Sequence, residues 1–598
     1  MFAPRLIYVP VDIPDYRPFA TIDERGPWLS LPGFVTTALS AAAETSAKRD
    51  WPLLPASLYL QYSRTGNRSR FEEAYFNRRR MLADLVLAEC IEHQGRYLDH
   101  IVDGLWLLCE ESGWQLPAHN AYQRDRASLP LPISNRPIID LFAAETAALL
   151  ALTATLLESS LNAIDTEICA RMQREINRRI VEPYLQQHFW WMGDGHSRLN
   201  NWTTWCSQNV LLASLVLPLD SGQRRDIIAK VATSLDDFLK DYGEDGATAE
   251  GPYYYRHAGL CLLQCLDILS SVAPDAFAPL WQEPKIHQLA EFIVSTHIAG
   301  NRYHNYSDCP AQLINAGVQE FLAGQKTNSV LLQNFGHLCW QQNNGFHQPD
   351  DSLFCRLQAA FCAQQISDYQ AQPMAKPDRY FASIGLLTAT DRSFSLSVKA
   401  GRNDNSGHNH NDVGNIIVYK NGQPVLIDIG NESYTAKTFS AQRYEIWTMQ
   451  SAYHNLPTVA GVMQQHGEEF CATQVNVELT SEQAVMTMNI ASAYPEQAGL
   501  KQYLRTVKLI KNRFVEIEDV ADSEQPVVLS LMLAMAPNID GQRIQLAELA
   551  TITIAGAASI TSEIIELSDP LLVKAWPDKK LYRLEVLFAG PRLQLRIE

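Results

Sequence analysis

From about residue 35 to about residue 375, apolar side chains recur every three or four positions, a period that predicts amphipathic helices. The runs Arg78 to Glu92, Ile138 to Ser159, Thr166 to Leu185, Asn209 to Leu217, Arg225 to Tyr242, His257 to Val272, Ile286 to His297 and Ala311 to Ala323 carry it, with short polar breaks between them. Paired helices in such number, without a legible sequence repeat, point to an (α/α) toroid or solenoid. Beyond about residue 380 the period shortens. Phe394 to Val398, Asn415 to Tyr419, Val425 to Asp428 and Phe514 to Ile517 read as strands, and Asn421-Gly422 between two of them is a hairpin signal, because both positions of the favoured turn need positive φ. The expected fold is α+β and multidomain: a helical toroid over 1–375 and an antiparallel β-sandwich over 380–598. The stretch Gln370 to Asp378 is the expected joint.

The chain has 598 residues, too many for one hydrophobic core. Its net charge of −17 excludes the basic face that general nucleic-acid binding needs, so an anionic ligand must meet a local basic patch. No apolar run approaches membrane-spanning length. The first ten residues lack the apolar stretch of a signal peptide, which gives a cytoplasmic expectation. The 11 cysteines are scattered, mostly within helical patterns, and read as reduced core thiols.

The densest polar feature is Asn405-Ser406-Gly407-His408-Asn409-His410-Asn411-Asp412-Val413-Gly414, beside a strand. Two histidines one residue apart project to the same side of an extended backbone, where they can serve a metal or a substrate. Asn, Asp and Gly are also the residues of ordinary turns. Three other segments stand out. Arg198 to Trp205 contains Asn200, Asn201, Trp202 and Trp205, which fit either a sugar site or a helix cap followed by core aromatics. Glu244 to His257 contains Tyr253-Tyr254-Tyr255, which cannot all face one way. Asp428 and Tyr453-His454-Asn455 complete the set. His410, Asp428 and His454 suit tetrahedral zinc with water as fourth ligand. A simple hairpin about Asn421-Gly422 sets Asp428 opposite Asn415, so the segment before Gly414 must fold back for the three to meet.

Together, Asn-Asn before a helix, Asp-Gly…Glu-Gly-Pro-Tyr-Tyr-Tyr, Gly-His-Asn-His-Asn-Asp-Val-Gly and Ser-Ala-Tyr-His-Asn resemble the heparinase II/III family of polysaccharide lyases, which includes oligoalginate lyases. The resemblance spans roughly residues 60 to 470 in motif order, and it implies an (α/α) toroid followed by a β-sandwich. It also implies β-elimination at a uronic acid of a glycosaminoglycan or alginate, leaving a 4,5-unsaturated sugar. By the same resemblance Asn201 contacts the carboxylate and Tyr254 is base or acid. His408 assists the carboxylate or acts as partner base, and His410, Asp428 and His454 hold a structural Zn2+. Where many members carry His directly after the motif Asn, this chain has Trp202, a departure that His196 or His257 would have to make good.

Further residues expected at the substrate are Asn200, Trp202, Tyr255, Arg256, His257, Arg402, Tyr434 and Arg443, the arginines because guanidinium pairs with carboxylate or sulfate. The expected partner is an acidic oligosaccharide or polysaccharide, with neither nucleic acid nor membrane, and a homodimer is left open. Two other readings stay open. One is a glycoside hydrolase, for which Glu244, Asp245, Glu250 and Asp308 are available. The other is a non-catalytic carbohydrate-binding protein.

Overall fold

The structure, a computed structural model, describes all residues except 125, 344, 345, 347–351, 374, 375, 405 and 406. Asn405 and Ser406, which open the polar motif, and two residues of the expected joint therefore lie outside the described residues. The chain divides into two units. The first comprises Met1–Asp241, Arg256–Ala290 and Asn315–Met374, and the second Tyr242–Tyr255, Glu291–Ile314 and Ala375–Glu598. The division is thus more interleaved than the single cut near 375–380 read from the sequence. Two excursions from the helical half belong with the sheets because their side chains bond there: Tyr306 donates to the Thr248 carbonyl at 2.6 Å, Asn305 to the Asp428 carbonyl at 3.1 Å, and Ser383 to Asp245 at 2.6 Å.

In the first unit, Leu141–Leu156 is buried at most of its positions and packs against Asn201–Val216, which in turn packs against Ser221–Lys240. A helix apolar on all sides belongs at the centre of such an arrangement. Among the described residues no single helix is long and apolar enough to cross a membrane. Three helix expectations are corrected. The run Thr166 to Leu185 is Thr166–Ile176 and Glu182–Gln186 with a π-turn at Asn177–Val181 between them, since Pro183 cannot donate the bond that would continue an α-helix. The run at Asn209 begins at Asn201, where the Asn200 side chain accepts from the Trp202 amide and caps the first turn. The run Ala311 to Ala323 becomes helical only at Val318, behind Gly317 at φ 79° and an Asn315 side chain that accepts the Gly317 amide.

The second unit holds three larger antiparallel sheets. Arg379–Phe381, Leu386–Thr390, Phe394–Lys399, Ile416–Lys420 and Gln423–Leu426 form a five-stranded meander. Asn421 and Gly422 sit at φ 51° and 73° in the turn between the last two, with Lys420 opposite Gln423 and a bulge at Val418/Tyr419. An eight-stranded sheet has Leu500–Ile510 and Phe514–Ser523 near its middle, and both alternate buried and partly buried residues with period two. A four-stranded sheet joins Ala557–Glu566, Lys580–Phe588, Val527–Leu533 and Pro457–Val459. Leu396 and Val418 of the first sheet, Met486, Val507 and Ile517 of the second, and Leu531 and Val586 of the third fill one continuous core. This is the packing of a β-sandwich.

Candidate functional site

The polar motif folds back as its spacing requires. The Asn411 amide donates to the Met449 carbonyl, the Gln464 side chain receives the Val413 amide, Asn403 receives the Asp412 amide, and the Gly414 amide closes on the Lys399 carbonyl. Asn415 then donates to Asp428 at 2.8 Å, the pairing that a simple hairpin predicts, while the loop before it carries His410 to the same carboxylate. Ligand atoms of His410, Asp428 and His454 lie within 4.8 Å of one another, and all three residues are buried.

Their hydrogen bonds leave one nitrogen of each imidazole over. His410 Nε2 bonds Asp308 Oδ1 at 3.0 Å and His454 Nδ1 bonds Asp428 Oδ2 at 3.0 Å, while His410 Nδ1 and His454 Nε2 are buried with no partner among the described residues. An orphaned buried nitrogen costs free energy unless something completes it. Two imidazole nitrogens beside a carboxylate form a donor set that fits a divalent metal. Burial pulls His410 below the ordinary imidazole range. At His454 burial acts the same way but is outweighed by the Asp428 carboxylate, so its pKa is raised.

The centre of the cluster is Asp308, weighed from sequence only as a hydrolase carboxylate. It accepts from His408 Nδ1 at 3.0 Å, His410 Nε2 at 3.0 Å, the Tyr434 hydroxyl at 3.1 Å and Arg443 Nη2 at 2.6 Å. Burial works to raise its pKa, but Arg443 and the two histidines win and hold it well below the usual carboxylate range. Both histidines of the motif therefore do reach one side, on the two oxygens of one carboxylate. The sequence signal that would have found Asp308 is the polar run Tyr303 to Asp308 inside an otherwise helical stretch. Its backbone is held by Ser307 at φ 58°, whose hydroxyl donates to the Ala249 carbonyl. Gly251 is needed opposite: at φ 93°, a Cβ there would lie 2.5 Å from the Tyr306 carbonyl oxygen.

Tyr254 completes the cluster. Its hydroxyl lies 2.8 Å from that of Tyr434, and its ring centroid lies 4.0 Å from that of His408. Burial, and then the charge of Asp308, push the pKa of Tyr254 well above that of a free phenol, and that of Tyr434 likewise. His408 Nε2 faces Glu250 Oε2 at 3.4 Å.

Several expected substrate contacts are placed otherwise. Arg443 is buried, its guanidinium spent on Asp308 and the carbonyls of Asn409 and Thr438. Tyr255 is a core residue packed on Phe292, while Tyr253 is 42% exposed, so the three tyrosines do face different ways. Tyr434 has its hydroxyl committed to Tyr254 and Asp308. Arg402 is exposed where the backbone bridges to Cys471.

In the helical unit, Asn200 is the helix cap and Asn201 is buried in the first turn. Arg256 is partly buried in a π-turn, and its charge bears on buried Glu320. His257 stacks flat on Trp205 at 3.8 Å and His196 is exposed, whereas the imidazole packed on Trp202 is that of His119, at 4.7 Å.

The architecture is an (α/α) toroid followed by a β-sandwich. Residues 373–569 match the family described as heparinase II/III-like, C-terminal. Among solved structures, a crystal structure of heparinase III superposes with a TM-score of 0.61 at 11% identity over 99% of this chain and 93% of that one. The heparan sulfate lyase HepC of Pedobacter heparinus, in a mutant form, gives 0.59 at 12% identity over 94% and 88%. The chondroitin AC lyase of Streptomyces coelicolor A3 gives 0.54 at 11% identity over 100% and 82%. No curated protein matches by sequence. At such identities the superpositions speak to the fold.

Proposed function

We propose that the chain is a carbon-oxygen lyase that cleaves uronic-acid-containing glycans, of glycosaminoglycan or alginate type, by β-elimination. The observation that carries this reading is Tyr254. Burial and Asp308 keep its hydroxyl protonated, and its ring lies against His408. Elimination needs a base for the C5 proton and an acid for the O4 leaving group, and it consumes no water. Asp308, kept ionised, accepts the Nδ1 proton of His408, so that its Nε2, beside Glu250 at 3.4 Å, carries the lone pair that takes the C5 proton. The C4–O4 bond breaks as the C4=C5 double bond forms, and Tyr254 supplies the proton to O4. The Tyr434 hydroxyl joins Tyr254 to Asp308.

The hydrolase reading requires an acid and a nucleophile or base among free carboxylates. Of the four carboxylates available to it, Asp308 is saturated by four donors, Asp245 is taken up by Ser383 and Glu250 faces His408 Nε2 at 3.4 Å, which supports the lyase reading over a hydrolase pair.

His410, Asp428 and His454 would hold the metal, and we assign it as zinc from the two-imidazole, one-carboxylate donor set. When bound, it supplies a positive charge that braces the His408 to Asp412 loop. The chain's own residues carry the proton transfers.

The test is the near-ultraviolet absorbance of the conjugated unsaturated uronate, followed on heparan, chondroitin, hyaluronan and alginate oligosaccharides. The wild type is expected to raise it on at least one of them, and Tyr254→Phe to lower the rate by about 10²- to 10⁴-fold with the fold intact. A Tyr254→Phe protein as active as wild type, or cleavage of an acidic glycan without the chromophore, would refute the mechanism.

A further inference from the structure

The helical unit carries a second ordered imidazole, separate from the Asp308 cluster. His119 Nδ1 bonds Asp140 Oδ2 at 2.8 Å, and Asp140 is fully buried. The same carboxylate receives the amides of Leu116 and Ala143, so Asp140 is fixed by the backbone and in turn fixes the ring. The imidazole lies nearly parallel to Phe142, at 8° between planes, and meets the Trp202 ring edgewise at 4.7 Å between centroids. Trp202 packs on Trp190 at 5.0 Å, and the Arg124 guanidinium lies over Trp190 at 4.9 Å. His119, Trp202 and Trp190 are all partly exposed. With Nδ1 committed to Asp140, the other nitrogen, Nε2, has no hydrogen-bond partner among the described residues, and the side chain keeps 13% of its surface open.

A flat indole with a cation nearby and, at its edge, an imidazole whose Nε2 donates when the ring is protonated, Nδ1–H being given to Asp140, matches an acidic sugar: the apolar ring face lies on the indole, and its equatorial acidic group extends past the edge. A chain with net charge −17 needs such local donors to hold an anion at all. We propose that His119, aligned by Asp140, is a specificity-determining residue that recognises the carboxylate or sulfate of a sugar ring laid on Trp202. The inference rests on the reading that acidic glycans are the ligands, but it concerns binding, so turnover is not its measure.

The test is calorimetric binding to the full chain of three tetrasaccharides with a heparan backbone: unsulfated and N-acetylated, sulfated, and the unsulfated one with its carboxylates reduced to alcohols. His119→Asn leaves an amide to bond Asp140 but removes the group at Nε2. His119→Gln places a donor near Nε2 again. Thermal melting and circular dichroism check that each variant is folded. His119→Asn is expected to bind an acidic tetrasaccharide roughly 10- to 100-fold more weakly and the reduced one as well as wild type does, with His119→Gln recovering part of the loss. A loss on the unsulfated acid assigns the contact to carboxylate, and a loss confined to the sulfated one assigns it to sulfate. Wild-type affinity in His119→Asn for both acids, an equal loss on the neutral ligand, or no binding of either acid by wild type would overturn the proposal. A wild type that binds acids through His119 yet forms no unsaturated product would uphold it and refute the lyase reading.

Discussion

In the helical unit Trp190, Trp202, Trp205, His119 and His257 meet one another largely ring to ring, whereas in the sheet unit Tyr434, His408, His410 and Arg443 all end on the one carboxylate of Asp308. The difference is one of tolerance. Ring contacts accept both stacked and edge-on geometries, and each is worth only about 0.5–1.5 kcal/mol beyond the area it covers, so one can change while the others persist. A buried carboxylate with four donors is satisfied only as a set, and removing it strands a guanidinium and two imidazoles away from water. Of these two clusters, the one around Asp308 is therefore where a single substitution costs more.

The largest effect is expected at Asp308→Ala. It leaves Arg443 buried with the Asn409 and Thr438 carbonyls for hydrogen-bond partners among the described residues and takes the shared carboxylate from both histidines. Breaking a buried ion pair from one side costs about 3–5 kcal/mol, and chemical denaturation should show a loss of that size together with loss of turnover. A loss of under about 1 kcal/mol would mean that Asp308 is not the centre of the network, and the contrast between the units would disappear.

Next is the metal. Two orphaned imidazole nitrogens beside Asp428 are the sharpest sign that the sheet unit is completed by something outside the chain. The purified protein is expected to contain zinc at about one ion per chain by elemental analysis, and His454→Ala is expected to contain none. Chelation should lower the melting temperature, since free metal at 100 times its Kd stabilises by about 2.7 kcal/mol. Zinc retained in His454→Ala would place the ion elsewhere, and a zinc-free wild type that melts no lower with chelator would leave the two nitrogens without a metal role.

How far the sequence carried these conclusions differs between the units for a physical reason. Periodicity located the helices and the Asn421-Gly422 turn, because each follows from side chains near in sequence. It placed Asn201 outside a helix, because the Asn200 cap that starts the helix is a local polar event that apolar periodicity does not register. His410, Asp428 and His454 were legible as a ligand set by residue type, but their meeting depends on Gln464 and Asn403 holding the loop, which no spacing rule contains. Asp308 was hidden for the same reason: its partners come from 100 to 135 residues away in sequence. Arg443 looked like a ligand for substrate because an arginine's partner cannot be read without the fold.

The smallest effect is expected in the helical unit, at a carboxylate that is the opposite of Asp308. Glu320 is buried, accepts from Asn315 at 2.7 Å, and has its second oxygen without a partner among the described residues. Burial raises its pKa above that of an ordinary glutamate, while Asn315 and the charge of Arg256 offset this only in part. A raised folded pKa means that the folded state holds the proton more tightly than the unfolded chain. Stability contributed by this group is therefore present below the ordinary glutamate range and lost as pH rises through the folded pKa. Glu320→Gln keeps the acceptor for Asn315 and removes the charge. It is expected to raise the denaturation midpoint at neutral pH and to leave it unchanged in acid below the glutamate range, the reverse of the pH trend for a carboxylate that is depressed on folding. A Glu320→Gln protein less stable than wild type at neutral pH would mean that the ionised carboxylate is stabilised by its surroundings, and that Glu320 is a charge centre of the same kind as Asp308.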